Sequence, residues 1–395
     1  MTWIERIKLA PRELKIFAFA SLAMGAAYSI FDSTFNNFLN DRYALSGFQR
    51  SFIEFPRELP GFLVVFVSAL LWFLSSRRLG AWSLVLSFFG VLLIGFFSPT
   101  YAILVSFLFV YSLGQHLFMP VASSVGMELA EPGKTGKRLG ELNAIRNLAT
   151  IGGSFVVFIG FRYLGFTFQT SFVIAAVGLG IAAILMFSMQ PEVKIGNRKF
   201  LSLRKEYRLF YILNALSGSR KQIFITFAPW VIVSIFKQPT QTLATLMTIG
   251  GVIGIIFQPL LGRMIDQYGE RIVLASEAVF LVFVCFGYGF SKVVLPADKA
   301  LIAISIFYLL DQMLFSVSMA RSMYIKKIAI HTDDIQTALS AGVTIDHIFS
   351  ILVAIVGGWI WNVYGFQYVF LLGVLIAAVN FFFAVQVRVP EPANA

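Results

Sequence analysis

Cysteine and charged residues are both scarce in this 395-residue chain. The single cysteine, Cys285, excludes an intrachain disulfide and a cluster of thiolate metal ligands. Charged residues make up only 13% of the sequence, against about 25% in an ordinary soluble domain. No polar stretch is long enough to form a water-soluble core of its own. The composition therefore excludes a soluble protein. The sequence also lacks a nucleotide-binding motif, so it gives no indication of an ATPase.

Long apolar runs fill most of the sequence. Hydrophobic residues account for 58% of the chain, and the mean hydropathy is +0.81. Because a membrane helix needs about 20 mostly apolar residues, we predict an all-α integral membrane protein with twelve transmembrane helices. The predicted spans are 14–40, 47–74, 81–98, 101–128, 139–161, 165–189, 207–236, 240–262, 271–290, 299–323, 337–361 and 365–386.

The basic residues predict how these helices are oriented. Lys and Arg number 31 against 20 Asp and Glu, which gives a formal net charge of +11. Most of them lie in the N-terminal segment and in alternate short loops, as expected of cytoplasmic segments. The opposite loops hold Arg42, Arg162, Lys237, Lys292 and Lys299. We therefore expect a multi-pass protein of the plasma (inner) membrane with both termini cytoplasmic, and no binding of nucleic acid.

The longest connection between predicted helices, residues 190–206, is also the most basic and falls near the middle of the chain. It separates six predicted helices from the next six. We predict an N-terminal six-helix bundle at 1–189, a basic cytoplasmic linker at 190–206 and a C-terminal six-helix bundle at 207–395. The two bundles are expected to be pseudo-symmetric, since Gly80 and Gly269 each follow the second helix of a half.

The loop after the eighth predicted helix carries a recognisable motif. Residues 262–271 match the pattern G-x-L-x-D-R-x-G-R-R at Gly262, Asp266, Gly269 and Arg271. Together with two six-helix halves and a basic central loop, this motif resembles that of the major facilitator superfamily. The resemblance implies a twelve-helix secondary transporter in which the four matching residues form a gating loop. The first-half copy, residues 74–80, lacks the acidic residue, so the resemblance is weaker there.

Charged residues inside the second span form one stripe. Arg50, Glu54, Arg57 and Glu58 fall within about 100° of a helix surface. Because charges facing lipid are costly, these four must face protein or water. Prolines 56 and 60 interrupt the same stretch and leave backbone carbonyls without helical partners. The stripe indicates either a functional site or a static ladder of salt bridges along one helix.

The first span presents Tyr28, Asp32 and Asn36 at steps of four residues. Asp32 and Glu54 are expected at similar depth on neighbouring helices. A carboxylate that is desolvated and lies near another carboxylate favours its protonated form, so it can load and release a proton. We predict proton or ion coupling at Asp32, Glu54, Glu58 and Asp346. The alternative is that Arg50 or Arg57 simply neutralises the carboxylate.

The remaining intramembrane polar residues suggest where a solute binds. Arg146 is a single cation on a polar face of the fifth span, and Arg220 and Lys221 lie in the seventh, where residues 216–221 could break the helix near mid-membrane. A salt bridge from Arg220 or Lys221 to Asp311 or Asp346 is an equal alternative to direct substrate contact. The predicted substrate-binding residues are Tyr28, Asn36, Arg57, Arg146, Asn214, Arg220, Lys221, Asp311 and Gln312.

These features predict a secondary active transporter that moves a small solute by alternating access, coupled to a proton. The expected solute is an organic anion or zwitterion, and the other expected partners are the coupling proton and the lipid bilayer. We expect a monomer that is not an enzyme and uses no cofactor and no metal. Two alternatives remain: an exporter of drugs or amphiphiles, and a non-transporting scaffold or receptor on the same fold.

Overall fold

The computed structural model describes residues 10–71, 73–131, 135–190 and 203–389. The basic residues Arg6 and Lys8 and most of the predicted linker at 190–206 lie outside the described residues. Within the described ranges the regular secondary structure is entirely helical, with no strand. The all-α fold class is therefore confirmed.

Thirteen helices position the side chains discussed below. They are α1 (Arg12–Tyr43), α2 (Gly47–Phe52), α3 (Glu54–Leu70), α4 (Ser76–Phe97), α5 (Tyr101–Glu128), α6 (Thr135–Tyr163), α7 (Phe168–Ser188), α8 (Arg208–Gln222), α9 (Thr240–Val294), α10 (Ala297–Leu314), α11 (Ser318–Ile328), α12 (Thr332–Tyr364) and α13 (Phe366–Ala384).

Nine helical segments in the described part of the chain are long and apolar enough to cross a membrane. One of them, α9, has 55 residues and contains the eighth and ninth predicted spans, with non-helical backbone at Gly269 between them. The second and seventh predicted spans are divided into shorter helices. The protein is thus a multi-pass membrane protein, and the count of twelve spans stays a prediction.

The two divided spans differ in how far they depart from a regular helix. In the second span the backbone between α2 and α3 stays α-helical, with φ −55° and ψ −29° at Ile53, and only the turn before Pro56 is perturbed, as the missing proline donor predicts. In the seventh span, the predicted break at residues 216–221 is wrong, because α8 continues to Gln222. The helix widens only afterwards, in π-helical turns at Ile223–Phe227 and Val231–Ile235. Pro229 lies between them and cannot donate a backbone hydrogen bond, which accounts for this irregular stretch.

Contacts divide the chain into two compact units. Unit 1 contains the described residues of Met1–Tyr43, Leu59–Gly196 and Pro239–Gly251; unit 2 contains those of Ala44–Glu58, Asn197–Gln238 and Val252–Ala395. Both units use glycine to bring helices close together. A Cβ on Gly90 in unit 1 would lie 2.6 Å from the Tyr111 backbone, and one on Gly218 in unit 2 would lie 2.5 Å from the Asp346 carbonyl oxygen. The predicted domain boundaries at 190–206 are not tested by this division.

Candidate functional site

Unit 2 contains a buried cluster of charges around Arg220. Its guanidinium lies 3.1 Å from the Asp311 carboxylate and 4.0 Å from that of Glu277. Arg321 approaches the other Glu277 oxygen at 3.6 Å, and the guanidinium of Arg220 also lies over the Phe315 ring, 4.8 Å from its centroid. Four helices, α8, α9, α10 and α11, therefore meet at two cations and two carboxylates that are all buried.

The residue after Arg220 makes the next ion pair. Lys221 on α8 donates a hydrogen bond to the Asp346 carboxylate on α12. The two helices can approach this closely because Gly218 has no side chain, and the Ser350 hydroxyl donates to the Gly218 carbonyl at 3.2 Å. Both Lys221 and Asp346 keep part of their side chains accessible. This pair is thus more open than the cluster around Arg220.

The residue after Asp346 links α12 to α3. The Nδ1 atom of His347 lies 2.6 Å from the Glu58 carboxylate, and both side chains are buried. This pair differs from the others in unit 2, because an imidazole ordinarily titrates near neutral pH whereas guanidinium and ammonium groups stay charged. It is therefore the contact in this series best suited to exchanging a proton.

The charged stripe of the second span forms a ladder. Arg50 donates to Glu54 at 2.7 Å, and both side chains are fully buried. Arg57 lies 3.6 Å from the same Glu54 oxygen. The Arg50 guanidinium also stacks over the ring of Trp230, 5.9 Å from its centroid. The salt-bridge ladder, one of the two alternatives left open by the sequence, is thus the geometry observed for Arg50, Glu54 and Arg57.

Unit 2 therefore contains seven predicted site residues that form acid–base contacts, and each contact shares a sequence neighbour with the next. The seven are Glu54, Arg57, Glu58, Arg220, Lys221, Asp311 and Asp346. Four partners in these contacts are not among the predicted site residues: Arg50, Glu277, Arg321 and His347. Asn214 donates to the Phe210 carbonyl on its own helix, and Gln312 lies one residue beyond Asp311 on α10.

Unit 1 holds the other predicted residues in two places. Tyr28, Asp32 and Asn36 follow one another on α1, and Asn36 is buried. The Tyr28 hydroxyl lies 3.2 Å from that of Ser87, and its ring meets the ring of Tyr111 edge to face. Tyr28 is therefore held by α4 and α5.

Arg146 lies apart from these residues, beside a cavity of about 140 Å³ that is lined by three helices of unit 1, α1, α5 and α6. It donates a hydrogen bond to the side-chain oxygen of Asn143 one turn earlier on α6. The cavity is lined by Phe17, Ser21, Ala122, Ser123, Leu139, Leu142, Asn143 and Arg146. Its wall thus combines one cation, three other polar side chains and apolar surface.

The predicted gating loop lies inside α9. Gly269 has a φ of +81° and a ψ of 163°, a conformation that is essentially restricted to glycine. Asp266, the acid of the motif, is exposed. The buried acid of this loop is Glu270, whose carboxylate lies 2.6 Å from the Lys327 amino group on α11. Glu270 occupies a position where the motif has arginine. This change from a positive to a negative charge is the sequence signal for the contact with Lys327.

The corresponding loop of the first half contains a different ion-pair cluster. Arg77, at the start of α4, lies 2.8 Å from Glu13 on α1 and also pairs with Glu128 at the end of α5. Its guanidinium donates to the Gln190 carbonyl at 2.6 Å as well. The missing acid of this copy is thus replaced by two glutamates from neighbouring helices.

A family model described as Major Facilitator Superfamily matches residues 17–325, well over half of the chain. The chain belongs to the major facilitator superfamily. As a member it is a multi-pass secondary transporter rather than an enzyme. No curated protein sequence matches the chain.

Solved structures of transporters have the same fold. The nucleoside transporter NupG aligns with a TM-score of 0.74 at 14% identity, over 95% of this chain and 99% of that chain. A D-xylose–proton symporter aligns with a TM-score of 0.71 at 15% identity, over 99% of both chains. An auto-inhibited peptide transporter of the POT family aligns with a TM-score of 0.76 at 10% identity, over 97% of this chain and 98% of that chain. At such identities the likeness shows the fold alone.

Proposed function

We propose that the protein moves a small organic anion or zwitterion across the membrane by alternating access, driven by a coupled proton. The observation that carries this proposal is the series of acid–base contacts in unit 2. Buried ionisable groups in membrane helices are costly, and they are usually kept where a substrate or proton passes. A bundle without such a role would gain stability from apolar residues at these positions.

The coupling proton is assigned to the predicted carboxylates Asp32, Glu54, Glu58 and Asp346. The contact between Glu58 and His347 supports this assignment most strongly, since a carboxylate and an imidazole at hydrogen-bond distance can share or exchange one proton. Glu54 is the weakest of the four, because it already lies in salt-bridge contact with both Arg50 and Arg57. The D-xylose–proton symporter with the same fold is consistent with coupling to a proton.

The solute-binding residues are proposed as predicted, with the cationic groups contacting the anionic part of the solute. Arg146 and Lys221 are the most favourable of these, because both lie on accessible surface inside their unit. Arg220 and Asp311 bind each other and position the helices around them. We place the protein in the inner membrane as a monomer with both termini cytoplasmic, on the distribution of basic residues between loops.

The proposal is tested in two steps with the purified full chain. Thermal unfolding in detergent is first measured against a panel of small carboxylates, amino acids, nucleosides, pentoses, short peptides and hydrophobic cations, because a ligand of the folded state raises the unfolding temperature. Uptake of the stabilising compound is then measured in proteoliposomes with an inward proton gradient, with and without a protonophore. The expected result is accumulation of an anion or zwitterion that collapses with the protonophore.

Other outcomes would separate the alternatives. Stabilisation by hydrophobic cations alone would favour an exporter of amphiphilic compounds. Uptake that does not respond to the protonophore would contradict proton coupling. A protein that no compound stabilises and that transports none of them would contradict the proposal as a whole.

A further inference from the structure

Arg146 differs from the other intramembrane cations named above, because no acidic residue of the described part of the chain pairs with it. Arg50, Arg57, Arg220 and Lys221 each lie within salt-bridge distance of a carboxylate. Among the described residues, no Asp or Glu approaches Arg146, and its side-chain hydrogen bond goes to the neutral amide of Asn143. A cation inside a membrane bundle is costly without a counter-charge. The counter-charge for Arg146 therefore has to come from outside the described residues.

The cavity beside Arg146 has room for that counter-charge. Ser21 on α1, Ser123 on α5 and Asn143 on α6 add hydrogen-bonding groups to its wall. None of the described residues that line the cavity is acidic, so its described wall does not repel an anion. The polar groups come from three helices and converge on one space, which is the arrangement expected of a small-molecule site.

The rest of the wall is apolar and sets the size of the ligand. Phe17, Leu139 and Leu142 face the cavity together with Ala122, and Phe17 and Leu142 are buried. The volume of about 140 Å³ is close to that of an engineered apolar cavity, about 150 Å³, that binds benzene. The space therefore accepts an apolar body of at most about six heavy atoms, and the anionic group of such a ligand would lie at the edge of the cavity beside Arg146.

We propose that this cavity binds a small organic acid with one negative charge: a carboxylate held by Arg146 and an apolar body held between Phe17 and the two leucines. The inference rests on the proposed function and narrows its solute class from anion or zwitterion to an apolar monocarboxylate. One guanidinium matches one carboxylate in charge and geometry. A zwitterion would place its ammonium group where no carboxylate lines the wall.

The test uses benzoate as the probe, with benzamide as its neutral analogue and benzylamine as its cationic one. Dissociation constants are measured by calorimetry on the full chain in nanodiscs of zwitterionic lipid, so that no transport is required. Benzoate should bind, benzamide should bind at least about tenfold more weakly because the charge-assisted hydrogen bonds are lost, and benzylamine should not bind. Equal affinity for benzoate and benzamide would overturn the proposal.

Two variants of the cation and one control sharpen the result. Arg146→Gln should weaken benzoate binding at least about tenfold and remove the preference over benzamide, whereas Arg146→Lys should retain part of that preference. Arg162→Gln removes an exposed arginine at the far end of the same helix and should leave binding unchanged. Benzoate binding that survives Arg146→Gln unchanged would refute the assignment of the carboxylate to this residue.

A lipid headgroup is a second source of an anion. Calorimetry is therefore repeated in nanodiscs that contain an anionic phospholipid. If the cavity serves a free acid, benzoate binds with the same dissociation constant in both kinds of nanodisc. The opposite result has two parts: anionic lipid abolishes benzoate binding to the wild-type protein, and it stabilises the wild-type protein but not the Arg146→Gln variant. In that case the cavity is a lipid site and the proposal is wrong. Binding without any uptake of benzoate would leave this inference standing and contradict the proposed function.

Discussion

The two units of the molecule differ in how the cations within the membrane are paired with carboxylates. In unit 2 the cations are matched by carboxylates of the same unit, and the pairs follow one another through adjacent residues: Lys221 after Arg220 and His347 after Asp346. In unit 1, Arg146 has no acidic partner among the described residues and borders a cavity. Unit 2 thus balances its charges internally, whereas unit 1 offers a cation to a ligand.

This difference separates two roles for a charge within the membrane. A fully paired buried cation fixes helix positions, and removing one partner leaves an uncompensated charge. An unpaired cation beside a cavity stabilises little by itself and gains its counter-charge when an anion binds. Replacing an arginine is therefore expected to have different effects in the two units. In unit 2 the protein should lose stability, and in unit 1 it should lose ligand binding.

The largest effect is expected at the Arg220–Asp311 pair. Asp311→Asn leaves the guanidinium of Arg220 buried with less compensation, and it should lower the free energy of unfolding by about 3–5 kcal/mol. The change is measured by denaturant titration in mixed micelles. Asp298→Asn, at an exposed position on the same helix, serves as the matched control and should change stability by less than about 0.5 kcal/mol. Equal stability of the two variants would show that the pair does not hold unit 2 together.

An intermediate effect is expected where α8 and α12 approach each other. In Gly218→Ala the new Cβ would meet the Asp346 carbonyl oxygen at 2.5 Å. The helices must then move apart, at a cost of about 1–3 kcal/mol. Gly254→Ala is the control, since its Cβ would meet only the end of the Gln258 side chain at 3.9 Å. If Gly218→Ala is as stable as Gly254→Ala, the close approach is not required for the Lys221–Asp346 contact.

The smallest effect on stability is expected at Arg146. Because no described carboxylate pairs with Arg146 and an unpaired cation in the membrane is costly, Arg146→Gln should not lower the free energy of unfolding in the absence of ligand. The same denaturant titration measures this change. A loss comparable to that of Asp311→Asn would mean that Arg146 is part of a structural pair, and the contrast between the units would disappear.

The sequence was sufficient to predict the fold class and several contacts. Apolar runs alone indicate a helical membrane protein, and the gating-loop motif indicates the family that the family model confirms. The alternative of salt bridges from Arg220 and Lys221 was also open at that stage, and it describes the observed pairs with Asp311 and Asp346. Helical spacing also offered the ladder on the second span as one of two alternatives, because Arg50, Glu54 and Arg57 are three or four residues apart.

Contacts between distant helices were beyond sequence reasoning. Spacing shows which face of a helix carries a charge, but it does not show which helix lies opposite. The pairing of Glu277 with Arg321 and the cavity beside Arg146 therefore became visible only in three dimensions. The break predicted at residues 216–221 failed for a related reason: glycine and serine are tolerated in a packed membrane helix, and Gly218 serves close packing instead.

Proton-driven uptake by Glu58→Gln tests the proposed mechanism most directly. The variant keeps the size of the side chain but removes the carboxylate that lies 2.6 Å from Nδ1 of His347. Gradient-driven accumulation and solute exchange at equal pH are measured in the same proteoliposomes. The expected result is that accumulation falls to the level seen without a gradient while exchange continues. Accumulation at the wild-type level would contradict proton coupling through this contact.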